Sequence, residues 1–353
     1  RKGLSVYDRK GRLTMKKLSW FNKIVFFFNI LFALLLSISF LAPFVSVETI
    51  SFLSILGLSV PLLVFINLLF CIYWSLQRNK RLFVSAIPLL LGYFIMGSFL
   101  KFKFTEDEAN SGDLKVMSYN ARGFNKYKWL DDDDLGDQII DFVFQENPDI
   151  ICFQEFLTVH DVDFDYKYKY IAKNPNKRIS YLGQAIYSKH KIINSGSLDF
   201  NSLANNAIFV DVIKNKDTIR VYNVHLESQR IQLNKDNFGE KNSEKLLIRI
   251  QNTFVKQTQQ AEKLLAHEKT SNYKSIICGD FNNTAFSYVY RKIKGTKNDA
   301  FTEAGKGFGK SYDYFFPARI DFILADKEFT INNFKTYDIK HSDHFPIMAR
   351  IKK

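Results

Sequence analysis

Six short stretches of this 353-residue chain carry side chains that bind cations or move protons. They are Asn120 in MSYNAR, Glu155 in CFQE, His225 in YNVHLES, Asp280 and Asn282 in GDFN, Asp321 in RIDFIL, and Asp343 with His344 in KHSDHFP. A lone aspartate at the end of a strand is usually a turn former, and a lone histidine is usually structural. Six such positions, each beside an apolar run, ask for a joint reading. If the strand ends converge, they build a pocket of carboxylates, amides and two imidazoles. Carboxylate and amide oxygens suit a hard cation, and an imidazole changes charge near neutrality. No Cys or His cluster at zinc spacing competes. Cys71, Cys152 and Cys278 each sit within an apolar run and read as buried small hydrophobes.

The elements that must position these residues alternate from Leu114 onward. LKVMSYNA, DIICFQE, QAIYSKH, NAIFVDVI, TIRVYNVHLE, YKSIICGDFN, RIDFILA and FPIMARI read as strands. LGDQIIDFVFQENP has helical spacing and stops at Pro148, and apolar residues at Leu246, Leu247, Ile250, Phe254, Leu264 and Leu265 predict a long helix over roughly 243–268. This order predicts an α/β (α+β) four-layer sandwich, two packed mixed β-sheets flanked by helices, within one domain over 113–353.

The first hundred residues have another texture. Three uncharged stretches, 24–47, 49–77 and 82–100, each reach the length that a bilayer-crossing helix needs, about 20 apolar residues. They are apolar all round, unlike soluble helices, and predict three transmembrane helices over 24–100. The excess of basic residues concentrates there: thirteen against five acidic in 1–112, compared with 36 against 31 in 113–353. Eight basic residues precede the first stretch, Arg78, Lys80 and Arg81 follow the second, and the intervening loop holds only Glu48. The positive-inside rule then places segment 1–23 in the cytoplasm and, after three crossings, everything beyond the polar linker 101–112 outside it.

Together and in order, the six stretches resemble the endonuclease/exonuclease/phosphatase superfamily, over roughly residues 114–352. The resemblance implies a metal-dependent phosphoric ester hydrolase. It makes Asn120, Glu155 and Asp343 the metal site, with Mg²⁺ the expected ion and Mn²⁺ the alternative, and His225, Asp280, Asn282, Asp321 and His344 the catalytic set. Octahedral Mg²⁺ needs only one or two carboxylates, polarises a phosphoryl oxygen and supports the leaving group. His344 is then a general base or a charged stabiliser of the transition state, with Asp321 setting its tautomer. Asp280 and Asn282 orient the attacking water, and Asp280 is the rival base. His225 donates to a non-bridging phosphate oxygen. Asn223 reads equally well as a backbone-bonding residue and stays outside this set.

Other tempting features take the plainer reading. Asp131 to Asp134 lack the spaced ligands of a calcium loop and read as a solvated loop. GKGFG at 305–309 lacks a nucleotide-loop context and reads as a flexible loop. DYKYKY at 165–170 reads as a strand with exposed tyrosines, and His160, His190, His267 and His341 as surface residues. The substrate stays open between nucleic acid and a lipid headgroup, with membrane anchoring favouring the latter. The alternatives are a phosphomonoester of inositol- or lipid-phosphate type, and a non-catalytic binding module.

Overall fold

Apolar runs rich in Val, Ile, Phe and Tyr make the strands, because β-branched and aromatic side chains fit a pleated surface buried on its faces. The computed structural model describes residues 18–96, 99–101, 112–157, 164–172, 182–202, 205–229, 240–314 and 317–353. Its strands are β1 (Leu114–Asn120), β2 (Ile150–Leu157), β3 (Tyr168–Ala172), β4 (Leu182–Ser188), β5 (Lys191–Ser197), β6 (Asn206–Lys214), β7 (Asp217–His225), β8 (Lys274–Asp280), β9 (Asn298–Asp299), β10 (Asp321–Ala325), β11 (Thr330–Thr336) and β12 (Ile347–Lys352). They form two six-stranded sheets, in the orders β11-β12-β1-β2-β4-β3 and β5-β6-β7-β8-β10-β9.

In each sheet one central pair is parallel, β1 with β2 and β7 with β8, while the neighbouring pairs are antiparallel. The inner faces meet through Val116, Ile150, Cys152 and Ile186 of one sheet and Val210, Val221, Ile276, Cys278 and Ile323 of the other. Each such side chain, fully buried, contributes about 1.5–3 kcal/mol of transfer free energy when it is Val, Leu, Ile or Phe. Outside, α5 (Leu135–Glu146) sets Ile139 and Val143 against the first sheet. On the second sheet, α6 (Glu240–Glu268) and α7 (Tyr288–Lys294) lay Ala261, Leu264, Val289 and Ile293. The predicted layering of two mixed sheets flanked by helices is therefore present.

The N-terminal stretches differ from expectation. Among the described residues one helix, Trp20–Phe44, is long and apolar enough to cross a membrane, or two if the bent pair below is one span, not three. The second stretch splits into α2 (Ser51–Leu58) and α3 (Val60–Leu76), bent by 61° at the break. Pro61 stands at the start of α3, where its missing N–H costs nothing but which the preceding helix cannot run through. The third stretch gives only the 15-residue α4 (Leu82–Met96), with Pro88 inside it. With α1 (Trp20–Ser39), helices α3 and α4 form a bundle around Leu36, Phe40, Leu56 and Leu63. Most of the basic N-terminal segment and of the linker 101–112 lies outside the described residues.

Inside the bundle a neutral polar network is fully buried. Asn29 Nδ2 donates to Ser85 Oγ at 2.5 Å, Trp74 Nε1 to Asn29 Oδ1 at 2.9 Å, and Ser85 Oγ to Asn67 Oδ1 at 2.7 Å. Asn67 Nδ2 reaches the Phe32 and Leu63 carbonyls. The bundle rests on the sandwich through α2. Gln251 Nε2 donates to Ser51 Oγ at 3.1 Å, Val47 packs with Ile250 and Phe254, and the Arg291 guanidinium lies 3.9 Å from the Phe44 ring centroid.

Candidate active site

All six chemistry-bearing stretches meet at one edge of the sandwich, but not all as strand ends. Asn120 closes β1, Glu155 lies near the end of β2, and His225 and Asp280, in register with one another, close β7 and β8. Asp321 instead opens β10, opposite Asp280, and Asp343 and His344 precede β12. Antiparallel neighbours contribute their beginnings to the edge where parallel strands contribute their ends.

Local geometry aims the side chains. The β2–β4 register shifts between Phe153 and Phe156, and Glu155 sits within that bulge at φ 48°. A bulge breaks the in–out alternation and re-aims one side chain. Positive φ at non-glycine residues clusters at functional sites, and Arg122 and Asn282 share it, at 44° and 48°. Gly279, at φ 141°, serves close approach instead, since a Cβ there would lie 1.9 Å from the Val224 carbonyl oxygen. Only glycine lets β8 come close enough to β7 to set Asp280 beside His225.

Asp280 is the hub. Its carboxylate accepts from Asn282 N at 2.7 Å, Asn282 Nδ2 at 3.2 Å and Asn120 Nδ2 at 3.2 Å. His225 Nε2 and His344 Nε2 each stand 3.6 Å from Asp280 Oδ2. His344 Nδ1 pairs with Asp321 Oδ2 at 2.9 Å, the contact expected to set its tautomer. On the other side, Asn120 Nδ2 also reaches Glu155 Oε1 at 3.4 Å, and His225 Nε2 lies 3.9 Å from that oxygen. Asp343 Oδ2 meets Arg122 Nη1 at 2.9 Å.

The electrostatics separate two groups. Burial pushes the Asp280 carboxyl up to about 6, with Asp321 adding to the rise and the two imidazoles opposing it. Burial opposes the His344 charge, but Asp321 and Asp280 outweigh it and raise the imidazole to about 10. His344 is therefore an imidazolium at neutral pH. Glu155 is also raised, first by burial and then by Asp343, while His344 works against the rise.

Two oxygen-rich sets could hold a metal. Ligand atoms of Asp280, Asp321 and His344 all lie within 4.8 Å of one another. There, however, His344 Nδ1 already pairs with Asp321, and two Asn282 groups bond Asp280. Glu155 and Asp343 fit a hard divalent ion better: they offer oxygen donors, each partly open to solvent, and Asp343 raises the cost of charging Glu155. Asn120, as its amide is oriented, sits between the two sets and spends Oδ1 on Arg122 N at 3.1 Å.

Some functional neighbours were not singled out from sequence. Arg122, two residues beyond Asn120 in MSYNAR, stands 4.5 Å from the Trp129 ring centroid as well as on Asp343. Ser311 Oγ accepts from Ile320 N and Asp321 N, both at 3.0 Å, and holds the start of β10. Tyr312 lays its ring 4.9 Å from that of His344. Both follow directly on the glycine-rich loop given the plainer reading, and Gly307 there pairs with Lys101.

Asn223 is structural. Its Nδ2 donates to the Phe153 and Ala185 carbonyls of the opposite sheet, and Gln154 Nε2 donates to its Oδ1 at 2.7 Å. His190, His267 and His341 are half-buried rather than at the surface, and His267 Nδ1 meets Tyr222 Oη at 2.9 Å. His160 lies outside the described residues. In DYKYKY the lysines face out and the tyrosines are half-buried, with Tyr166 Oη on the Pro148 carbonyl. The Asp131 to Asp134 segment is a largely exposed loop, and all three cysteines are free.

Residues 117–344 match the family model described as Endonuclease/Exonuclease/phosphatase family, and residues 22–99 match one described as Domain of unknown function (DUF8431). Among solved structures, the human Nocturnin catalytic domain with bound sulfate is 16% identical, covers 70% of this chain and 96% of its own, and has a TM-score of 0.52. An endonuclease/exonuclease/phosphatase family protein from Bacteroides thetaiotaomicron is 18% identical, with 68% and 97% covered and a TM-score of 0.51. D. rerio TDP2, complexed with a single-strand DNA product, is 16% identical, with 69% and 100% covered and a TM-score of 0.50. At these identities the likeness is one of fold. No curated protein matches this chain.

Proposed function

The chain belongs to the endonuclease/exonuclease/phosphatase family and is a metal-dependent phosphoester hydrolase, and from that premise we propose that it is a membrane-anchored phosphodiesterase acting outside the cytoplasm. The observation that carries the reading is the joined pair of clusters: Asp321–His344–Asp280 on one side, Glu155 and Asp343 on the other, with Asn120 bonded to both.

Glu155, Asp343 and Asn120 would hold the ion, Mg²⁺ by ligand type, Asn120 through the Oδ1 that here accepts from Arg122 N. When bound, it supplies charge relief at the phosphoryl oxygens. Asp280, with a carboxyl near 6, is ionised at neutral pH and accepts the proton of the attacking water, which Asn282 helps orient. His344 is already charged and stands as a preorganised donor toward the phosphoryl group, as His225 does from the other sheet. Of the two candidate bases, the electrostatics favour Asp280.

Residues 113–353 are the catalytic unit and 24–100 the anchor, with 1–23 and 101–112 as basic segment and linker. Exposed apolar residues on the bundle, among them Phe27, Leu34 and Phe94, suit a hydrocarbon surround. In this reading α1 crosses fully, and α3 and α4 are short crossings that keep Arg78, Lys80 and Arg81 cytoplasmic. An alkaline-phosphatase reporter fused after Gly112 should be active and a green-fluorescent one dark; the reverse overturns the sidedness.

The test of activity is hydrolysis of bis-p-nitrophenyl phosphate by the whole chain, with Mg²⁺ and then with EDTA. Turnover that EDTA abolishes is expected. No turnover on this diester, with turnover on p-nitrophenyl phosphate, would replace the reading by a phosphomonoesterase.

A further inference from the structure

A cavity of about 340 Å³ lies where the helical bundle meets the sandwich. Phe40, Val64 and Leu89 line it from the bundle, and Phe286, Phe308 and Pro317 from the catalytic domain. The walls are almost wholly apolar. Phe65 and Tyr93 also line it and are 51% and 54% exposed. Its mouth is therefore on the bundle's outer face, the face proposed to meet hydrocarbon. An apolar cavity opening into a bilayer is in contact with acyl chains and not with water.

The inner end of the cavity is tied to the chemistry. Phe99 packs edge-on against Phe308, at 5.4 Å between centroids. Pro317 precedes Ala318, whose carbonyl accepts from Ser311 N at 2.9 Å and Tyr312 N at 3.3 Å. Tyr312 stacks on Tyr314, with 20° between the planes, and lies on the His344 ring. Tyr314 and Phe308 are both exposed. The loop that brings Phe308 and Pro317 to the cavity thus also carries Tyr312, whose ring lies on that of His344.

We propose that the substrate is a membrane lipid with a phosphodiester headgroup, held with one acyl chain in this cavity. This rests on the phosphodiesterase reading and names its substrate class. In the reaction water adds its oxygen to phosphorus, one P–O ester bond breaks, and a proton passes to the released alkoxide. The products are an alcohol and a phosphomonoester. The anchor then belongs to the substrate site as well as holding the enzyme at the surface.

The experiment uses the whole chain in nanodiscs of phosphatidylcholine carrying a diazirine in one acyl chain. Photolysis should label the stretch Phe286–Pro317 in addition to the bundle. Labelling confined to outward residues such as Phe27, Leu34 and Phe94 overturns the proposal. In parallel, kcat/KM is compared for long-chain phosphatidylcholine, its dihexanoyl form and bis-p-nitrophenyl phosphate. The long-chain lipid should be preferred, and Val64→Trp, which fills the cavity, should lower its kcat/KM by at least about tenfold while sparing the soluble diester. Turnover of bis-p-nitrophenyl phosphate with no preference for the long chain overturns the proposal and leaves the phosphodiesterase reading standing. No turnover of any diester removes both.

Discussion

Two of the buried polar clusters among the described residues are built on opposite terms. In the bundle, Asn29, Asn67, Ser85 and Trp74 are neutral and bonded to one another at 2.5 to 2.9 Å. At the sandwich edge, Asp280, Asp321, Glu155 and His344 are ionisable, and burial pushes the Asp280 and Glu155 carboxyls upward. The first cluster satisfies its members and fixes helix positions. The second holds its members under electrostatic tension that a cation and a phosphoryl group can relieve. Burial is therefore a poor guide to function; the balance of charge within the cluster is a better one.

The comparison breaks most sharply at Glu155. Glu155→Gln keeps the size and the bulge but removes a charge, so Mg²⁺ affinity measured by calorimetry should collapse. Turnover should fall by about 10³-fold, the upper loss for a principal electrostatic group, with the circular dichroism unchanged. Unaltered Mg²⁺ affinity would move the metal to the Asp280, Asp321 and His344 set.

Next come the imidazoles. His344→Ala and His225→Ala should each lower kcat by at least about 10²-fold. The double variant should lose less than the product, since both act on one transition state. Near-normal turnover in either variant removes that residue from the mechanism.

Much of the charged cluster was legible in sequence because its residues lie in short motifs beside strands. The convergence was not, since it depends on strand direction: Asp321 and Asp343 reach the edge only because β10 and β12 run antiparallel to their neighbours. Nor was the bulge that turns Glu155, because the period of CFQE continues through it without a break. Polar edge strands such as β5 (KIINSGS) and β11 (TINNFKT) carry too little apolar periodicity to declare themselves. In the N-terminal part, composition reported apolar character correctly but not where helices stop. Pro61 marks one such boundary while Pro88 lies inside α4, and three expected spans became one long helix, a bent pair and a short helix.

Within the charged cluster, titration gives a sharper test. Asp280 must be ionised to take a proton, so kcat/KM should rise with pH through about 6 and then level. His344, raised to about 10, should give the falling alkaline limb. For stability the two groups carry the same sign. The His344 pairing contributes fully below the ordinary imidazole range, near 6.5, and is lost as pH rises through about 10. Asp280, raised above its unfolded value, favours the fold most when protonated, below its ordinary range, and that contribution is lost as pH rises through about 6. Asp280→Asn should abolish the acid limb and lower kcat. A limb that persists in this variant would assign the base to another group.

The smallest effect is expected in the neutral cluster, and its smallness is the point. Asn29→Ala removes the acceptor for Trp74 Nε1 and the donor to Ser85, yet no charge is left unpaired. Ser85 keeps Asn67 as a partner. Hydrogen bonds between membrane helices contribute about 0.6 kcal/mol on average, and at most about 1.7 kcal/mol, because the separated helices find other partners. The variant's bundle should therefore lose about 1 kcal/mol in a steric-trap or denaturant assay in bilayer mimetics. Turnover of bis-p-nitrophenyl phosphate should be unchanged, because no catalytic side chain touches Asn29. A fall in that turnover comparable to the histidine variants would mean that the bundle network and the charged cluster are coupled across α2, and that the division between structural and chemical polar clusters fails in this protein.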